Sequence, residues 1–267
     1  MKSKNSVKTI TVAHLYPKEM NIYGDLGNVI ALKNRLELRG YVFNYEVIGL
    51  KTKRFKPADI YFMGGGQDND MFKVCDDLLL NKADFIKQEV EANKVFLLIC
   101  GAFQLFGKSF IDGVGKSIEG LGILPVETRA PGNSLEDRCL GNLLTEINPD
   151  IAAEIRKAYD NSLPSNTIVG FENHSGQTYF TDDTISPLAK VIIGKGNNAE
   201  QKIEGARYKN VFASYSHGSL LPKNPHLADL ILYIAIKNKY GIDFEFPKLD
   251  DKIEWLAHQS IRDRLIK

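Results

Sequence analysis

The residues with the clearest chemical meaning cluster around Cys100. An apolar run, Val95-Phe-Leu-Leu-Ile99, ends abruptly at this cysteine and is followed by Gly101 and a helix-like pattern, Phe103, Leu105, Phe106. This reads as a strand–turn–helix junction with a thiol at its apex, the geometry that lifts a nucleophile out of a sheet and aims it at unpaired helical N–H groups. The plain alternative is a buried cysteine filling a strand end, since free cysteine packs as a small apolar residue. A cysteine nucleophile needs a base, for which histidine is suited near neutral pH. Of the five histidines, His217 directly follows the apolar stretch Val211-Phe-Ala-Ser-Tyr-Ser216. His14 ends the first strand, His174 sits in a polar turn, and His226 and His258 have helical surroundings. Two strand ends with complementary chemistry, Cys100 and His217, are therefore the expected catalytic pair. A third strand ends in Gly64-Gly65-Gly66, whose backbone amides, with that of Gly101, could stabilise an oxyanion.

The elements that must position these groups alternate regularly through the first half. Val7–Leu15, Tyr41–Ile48, Ala58–Met63 and Val95–Ile99 read as strands. Gly27–Leu38, closed by Gly40, and a long Met71–Ala92 segment read as helices. That rhythm predicts an α/β fold: a doubly wound, mostly parallel sheet flanked by helices, with ligands at the carboxyl ends of its strands. The second half is richer in strands: Leu121–Val126, Cys139–Leu144, Ile168–Phe171, Gln177–Phe180, Lys190–Ile193 and Val211–Tyr215. Leu227–Tyr240 reads as a closing helix. The expected organisation is one domain over residues 1–267 with a helical tail from about 242, whose amphipathic segment Asp250–Ile266 carries the only tryptophan, Trp255.

Composition narrows the function classes. A formal charge of +1 on 267 residues gives no field for nucleic acid or a membrane surface. No run approaches the roughly 18 apolar residues of a membrane span, and no signal-type segment opens the chain. The three cysteines, Cys75, Cys100 and Cys139, are odd in number and lack metal spacing, which fits a reducing cytoplasm, with Cys75 and Cys139 as packing residues. No Gly-x-x-x-x-Gly-Lys phosphate loop is present, so neither a bound nucleotide nor a metal cofactor is expected.

Three segments, Ile99-Cys100-Gly-Ala-Phe-Gln104-Leu-Phe-Gly107, Met63-Gly-Gly-Gly-Gln-Asp68 and Ser216-His217-Gly218, resemble class I glutamine amidotransferase domains of the branch associated with cobyric acid synthesis. Two more, Tyr16-Pro17 through Met20-Asn-Ile-Tyr23-Gly-Asp25-Leu-Gly-Asn28 and Gly170-Phe-Glu-Asn-His174-Ser-Gly176, resemble the GatD-type glutaminase subunits of lipid II isoglutaminyl synthases. The resemblance runs from about residue 8 to near residue 240. It implies hydrolysis of L-glutamine to glutamate and ammonia, with attack by Cys100 and proton transfer by His217. It implies a partner too, an ATP-dependent MurT-like ligase subunit forming a heterodimer and amidating D-glutamate of the peptidoglycan stem. Arg138 stands where the arginine for the substrate carboxylate is expected, with Arg129 as competitor and an ion pair to Glu136 or Asp137 as the structural alternative. Gln104, Gly65 and Gly101 are further substrate-side candidates.

One position departs from the class pattern. Many members place an acidic residue two positions after the histidine, where this chain has Ser219. Either the pair works as a dyad or an acidic group arrives from elsewhere, with the partner subunit as a source. The rival readings are another cysteine hydrolase on the same scaffold, a non-catalytic subunit, and a glutaminase serving a corrinoid-type acceptor.

Overall fold

The computed structural model describes residues 8–132, 134–159, 163–242 and 244–267; the first residue of the expected opening strand, Val7, lies outside them. Five strands run parallel in the main sheet: β1 (Thr9–Leu15), β2 (Val42–Ile48), β3 (Ile60–Met63), β4 (Val95–Ile99) and, late in the chain, β14 (Val211–Ser214). With β13 (Ala206–Tyr208) added antiparallel at one edge, the order is β13-β14-β4-β3-β1-β2. Every residue of β3, β4 and β14 is buried, as a strand covered on both faces requires. Order steps away from β1 in both directions, so right-handed crossovers place helices on both faces. Helix α1 (Leu26–Glu37) packs on α6 (Pro225–Tyr240), which also meets α5 (Pro149–Tyr159). The second group is α2 (Asp68–Asn81), α3 (Ala83–Glu91) and α4 (Gly101–Phe106). The expected α/β sheet is thus present.

Two expectations about elements are corrected. The single helix expected over Met71–Ala92 is two, α2 and α3, broken at Lys82, whose φ of −133° is not helical. Lys82 is buried against the rings of Tyr16 and Phe55 and paired with Asp77, and turning the chain there brings its ammonium to that carboxylate. The strand expected over Leu121–Val126 is instead a partly buried loop, with Gly122 at φ +64° and Pro125 unable to donate, that enters β7 (Val126–Arg129) only at its end.

Apart from β13 and β14, the strands that follow α4 do not extend the main sheet. They form two small sheets. One orders β10 (Gln177–Phe180), β7, β5 (Ser109–Ile111) and β6 (Ser117–Glu119). The other orders β12 (Ile203–Glu204), β11 (Ala189–Ile193), β8 (Cys139–Ile147) and β9 (Thr167–His174). Antiparallel register pairs Cys139 with His174 and Leu140 with Asn173, so the residue before β8, Arg138, lies beside the end of β9. The amide of His217 donates to the carbonyl of Phe171 at 2.7 Å, which fastens this sheet to the rim of the main one.

The tail returns as α7 (Lys252–Ile266) and is clasped by buried charge. Asp229 accepts from Arg35 and Arg39, each at 2.6 Å, and Asp251 accepts from Arg35 at 2.7 and 2.9 Å and from the Tyr159 hydroxyl at 2.7 Å. Replacing Asp229 by alanine leaves buried Arg39 without a carboxylate and Arg35 with Asp251 alone, so the urea midpoint is expected to fall by the equivalent of about 3–5 kcal/mol.

Candidate active site

Parallel topology brings four loops to one rim: those after β1, β3, β4 and β14. Cys100 sits at φ +52°, ψ −105°, a conformation of the kind that costs a non-glycine residue roughly 1–3 kcal/mol and persists only when its surroundings enforce it. Its amide donates to the Ser214 carbonyl at 2.8 Å, which ties the elbow to the strand leading to the histidine. Gly101 follows because any side chain there would press on Met71, Met20 and the amide of Gly66, 2.9–3.2 Å away.

The two strand ends do meet. A methyl group placed on Gly65 would lie 2.7 Å from the Cε1 of His217 and 3.4 Å from the Cβ of Cys100, so one glycine separates imidazole from thiol. His217 is fully buried and Cys100 is only 6% exposed. The Nδ1 of His217 lies 3.1 Å from the Asp25 carboxylate, itself fully buried, while Nε2 has no hydrogen-bond partner among the described residues. Burial alone would lower the basicity of this ring. The electrostatic interaction with Cys100 and the bond to Asp25 outweigh it and push the imidazole up to about 10. A cysteine, an imidazole and a buried carboxylate are thus gathered at one rim.

Asp25 is the residue that sequence reasoning missed. It stands in the Asn21-Ile-Tyr-Gly-Asp25 segment just before α1, and its signal was a buried-looking acid in a glycine-rich turn after a strand. An acidic group of this chain thus stands beside the imidazole. Ser219, in the position where an acid was expected, has a different job: its hydroxyl donates to the Gly24 carbonyl at 2.6 Å and pins the turn that carries Asp25. Gly65 requires a correction as well. Its amide donates to the second oxygen of Asp25 at 2.8 Å and is therefore spent on orienting the acid. The neighbouring Gly66 lines the cavity beside Gly101.

The cavity that opens beside Cys100 has a volume of about 700 Å³, ample for a small amino acid. Arg138 lines it and Arg129 does not, lying on a separate depression beside β7. Nor is Arg138 engaged with Glu136 or Asp137: its guanidinium donates to the side-chain carbonyl of Asn173 at 3.0 and 2.8 Å. Asp68 and Asp112 belong to the same cavity, and burial together with the charge of Asp112 raises the Asp68 carboxyl while Arg138 draws it back. Gln104 reaches the cavity too, but its amide nitrogen donates to the Tyr215 hydroxyl at 3.1 Å, which makes it part of the wall.

Among the remaining histidines only His174 borders this cavity. Its ring stacks on Tyr215 at 3.7 Å, Nδ1 bonds the Gly176 carbonyl, and burial drives it down to about 3, so it is neutral. His14 bonds Tyr45, and His226 and His258 pack around Trp255. Behind the site, buried Glu204 accepts from the Ser214 hydroxyl and the Tyr215 amide, and burial raises its carboxyl to about 7. No group of three or more His, Cys, Asp or Glu side chains among the described residues is placed to hold a metal ion.

Residues 11–225 match the CobB/CobQ-like glutamine amidotransferase domain. The chain belongs to this family. It is an enzyme of the glutamine amidotransferase class. Its relatives include the lipid II isoglutaminyl synthase (glutamine-hydrolysing) subunit GatD of Streptococcus pneumoniae, 38% identical over 94% of this chain and 89% of that protein. The GatD subunit of Staphylococcus aureus is 36% identical over 96% of both chains. The solved structure of PurLQS from Thermotoga maritima shares the fold, with a TM-score of 0.52 at 16% identity over 88% of this chain and 99% of that one. Among the described residues no helix of this amidotransferase is long and apolar enough to cross a membrane.

Proposed function

We propose that this chain hydrolyses L-glutamine and hands the ammonia to an ATP-dependent, MurT-like ligase subunit that amidates the D-glutamate carboxylate of the lipid II stem, in the cytoplasm. The reading rests on the near full-length likeness to the two GatD subunits, whose names state glutamine hydrolysis and membership of a lipid II isoglutaminyl synthase. The observation that carries the chemistry is the buried Asp25–His217 bond beside Cys100, at the wall of a cavity bearing Arg138.

In this reading the Cys100 thiolate attacks the side-chain amide carbon of glutamine, and the carbonyl oxygen becomes an oxyanion facing the amides of Gly66 and Gly101. The His217 imidazolium gives its proton to the departing nitrogen, the C–N bond breaks, and ammonia leaves a glutamyl thioester on Cys100. Now neutral, His217 takes a proton from water, which attacks the thioester and releases glutamate and the thiolate. Asp25 holds the ring in one tautomer and stabilises its charged form. Charge of opposite sign across the cavity, Arg138 against Asp68, suits the zwitterionic end of a free amino acid.

The test is glutamate release from L-glutamine, measured with the ligase subunit present. Arg138→Ala is expected to raise KM for glutamine about 10–150-fold, the value of a charge-assisted hydrogen bond, with kcat much less affected. An unchanged KM removes Arg138 from the site, and a wild-type complex that releases no glutamate defeats the proposal.

A further inference from the structure

We infer that Asn173 is the positioning residue of the substrate site, aiming Arg138 without cancelling its charge and, through Tyr23, tying that anchor to the base His217. The inference rests on the glutaminase reading above and assigns it two residues that touch the anchor and the base instead of the reacting atoms. Arg138 is half-buried, and no carboxylate among the described residues pairs with it. The groups that hold it are neutral: Nε and Nη2 both donate to the Asn173 Oδ1, at 3.0 and 2.8 Å, and Nη2 also approaches the Asn173 carbonyl at 3.4 Å. A fork seated on an amide keeps its full positive charge for an anion, whereas one seated on a carboxylate would have spent it. The main chain beneath is fixed as well, since the Lys195 ammonium donates to the Arg138 carbonyl at 2.8 Å.

The other half of the same amide points the opposite way. Two guanidinium donors demand the oxygen of Asn173 on their side, so its NH₂ must face Tyr23, and it donates to the Tyr23 hydroxyl at 2.8 Å. The Tyr23 ring in turn stands edge-on against the His217 imidazole, with centroids 4.9 Å apart and planes at 73°. Tyr23 is held at φ +52°, a region that an aromatic residue leaves unless restrained. Its restraints are the Asn173 bond, the His217 ring and the turn that Ser219 pins at Gly24, one residue before Asp25. One side chain of β9 therefore ties the residue expected to read the substrate carboxylate to the loop that supplies the acid of the triad.

The experiment compares L-glutamine with L-glutaminamide, which lacks the α-carboxylate, as substrates of the complex with its ligase subunit. Wild type is expected to prefer glutamine. Asn173→Asp keeps an acceptor for Arg138 but neutralises it, so the glutamine/glutaminamide ratio of kcat/KM should fall at least about tenfold, through KM for glutamine, with kcat for glutaminamide nearly retained. Tyr23→Phe, which removes only the hydroxyl, should lower that ratio by about 2–10-fold. A simple loss of packing would depress both substrates together and leave the ratio alone. An active wild type with an unchanged ratio in Asn173→Asp overturns this assignment by itself. A wild type that releases no glutamate overturns the glutaminase reading and this inference with it.

Discussion

Replacing Cys100 by alanine should abolish glutamine-dependent amidation by the complex while amidation driven by free ammonium salts continues. Without the sulfur there is no thioester, and the remaining wall can only bind the amide, so the glutamine-dependent rate is expected to fall by about 10⁴-fold or more. The ligase reaction needs ammonia from any source, and Cys100 lies on the rim of this chain's own sheet, so supplying ammonium bypasses the lesion. A glutamine-mimicking electrophile should label wild type once, at Cys100, and the alanine variant not at all. Glutamine-dependent amidation that survives in Cys100→Ala would refute the nucleophile; loss of ammonium-dependent activity as well would point to failed assembly of the complex.

The second large effect is expected at Asp25. Its carboxylate is fully buried, bonds the Nδ1 of His217 at 3.1 Å and holds the Gly65 amide at 2.8 Å with its other oxygen. Asn at this position keeps the size but removes the charge, and an amide nitrogen facing the ring favours the wrong tautomer. The expected result is a fall in kcat of about 10²–10⁴-fold with little change in KM. The pH profile carries an independent sign. His217 is pushed up to about 10, above the ordinary value of 6.5, because the interaction with Cys100 and the Asp25 bond stabilise its proton against burial. The proton needed by the departing nitrogen is thus available below that pH and lost as pH rises through it. Removing Asp25 takes away one stabilising charge, so the alkaline limb of kcat/KM should move to lower pH. An unshifted limb together with near-normal kcat would show that the carboxylate is a bystander and would revive a source in the partner subunit.

The apolar runs ending at Met63, Cys100 and near His217 were legible because each is a local signal: residues suited to a strand buried on both faces, then a sharp break. The conditions at the break were not. Lys82 splits a helix whose periodicity looks continuous, because a buried ion pair with Asp77 outweighs local helical preference. Arg138 and Arg129 are similar on paper, and only antiparallel pairing of β8 with β9 puts one of them beside Asn173 and the cavity.

By its own pattern, the chain determines a parallel sheet with a thiol and an imidazole at the ends of two strands, because parallel strands send all their carboxyl ends to one edge. Which carboxylate would serve the imidazole was decided only in three dimensions. Asp25 lies 192 residues from His217 in the chain, while the nearby Ser219 turns away to brace the Asp25 turn. Hydrogen bonds depend on distance and direction across space, and neither is written in spacing along the chain.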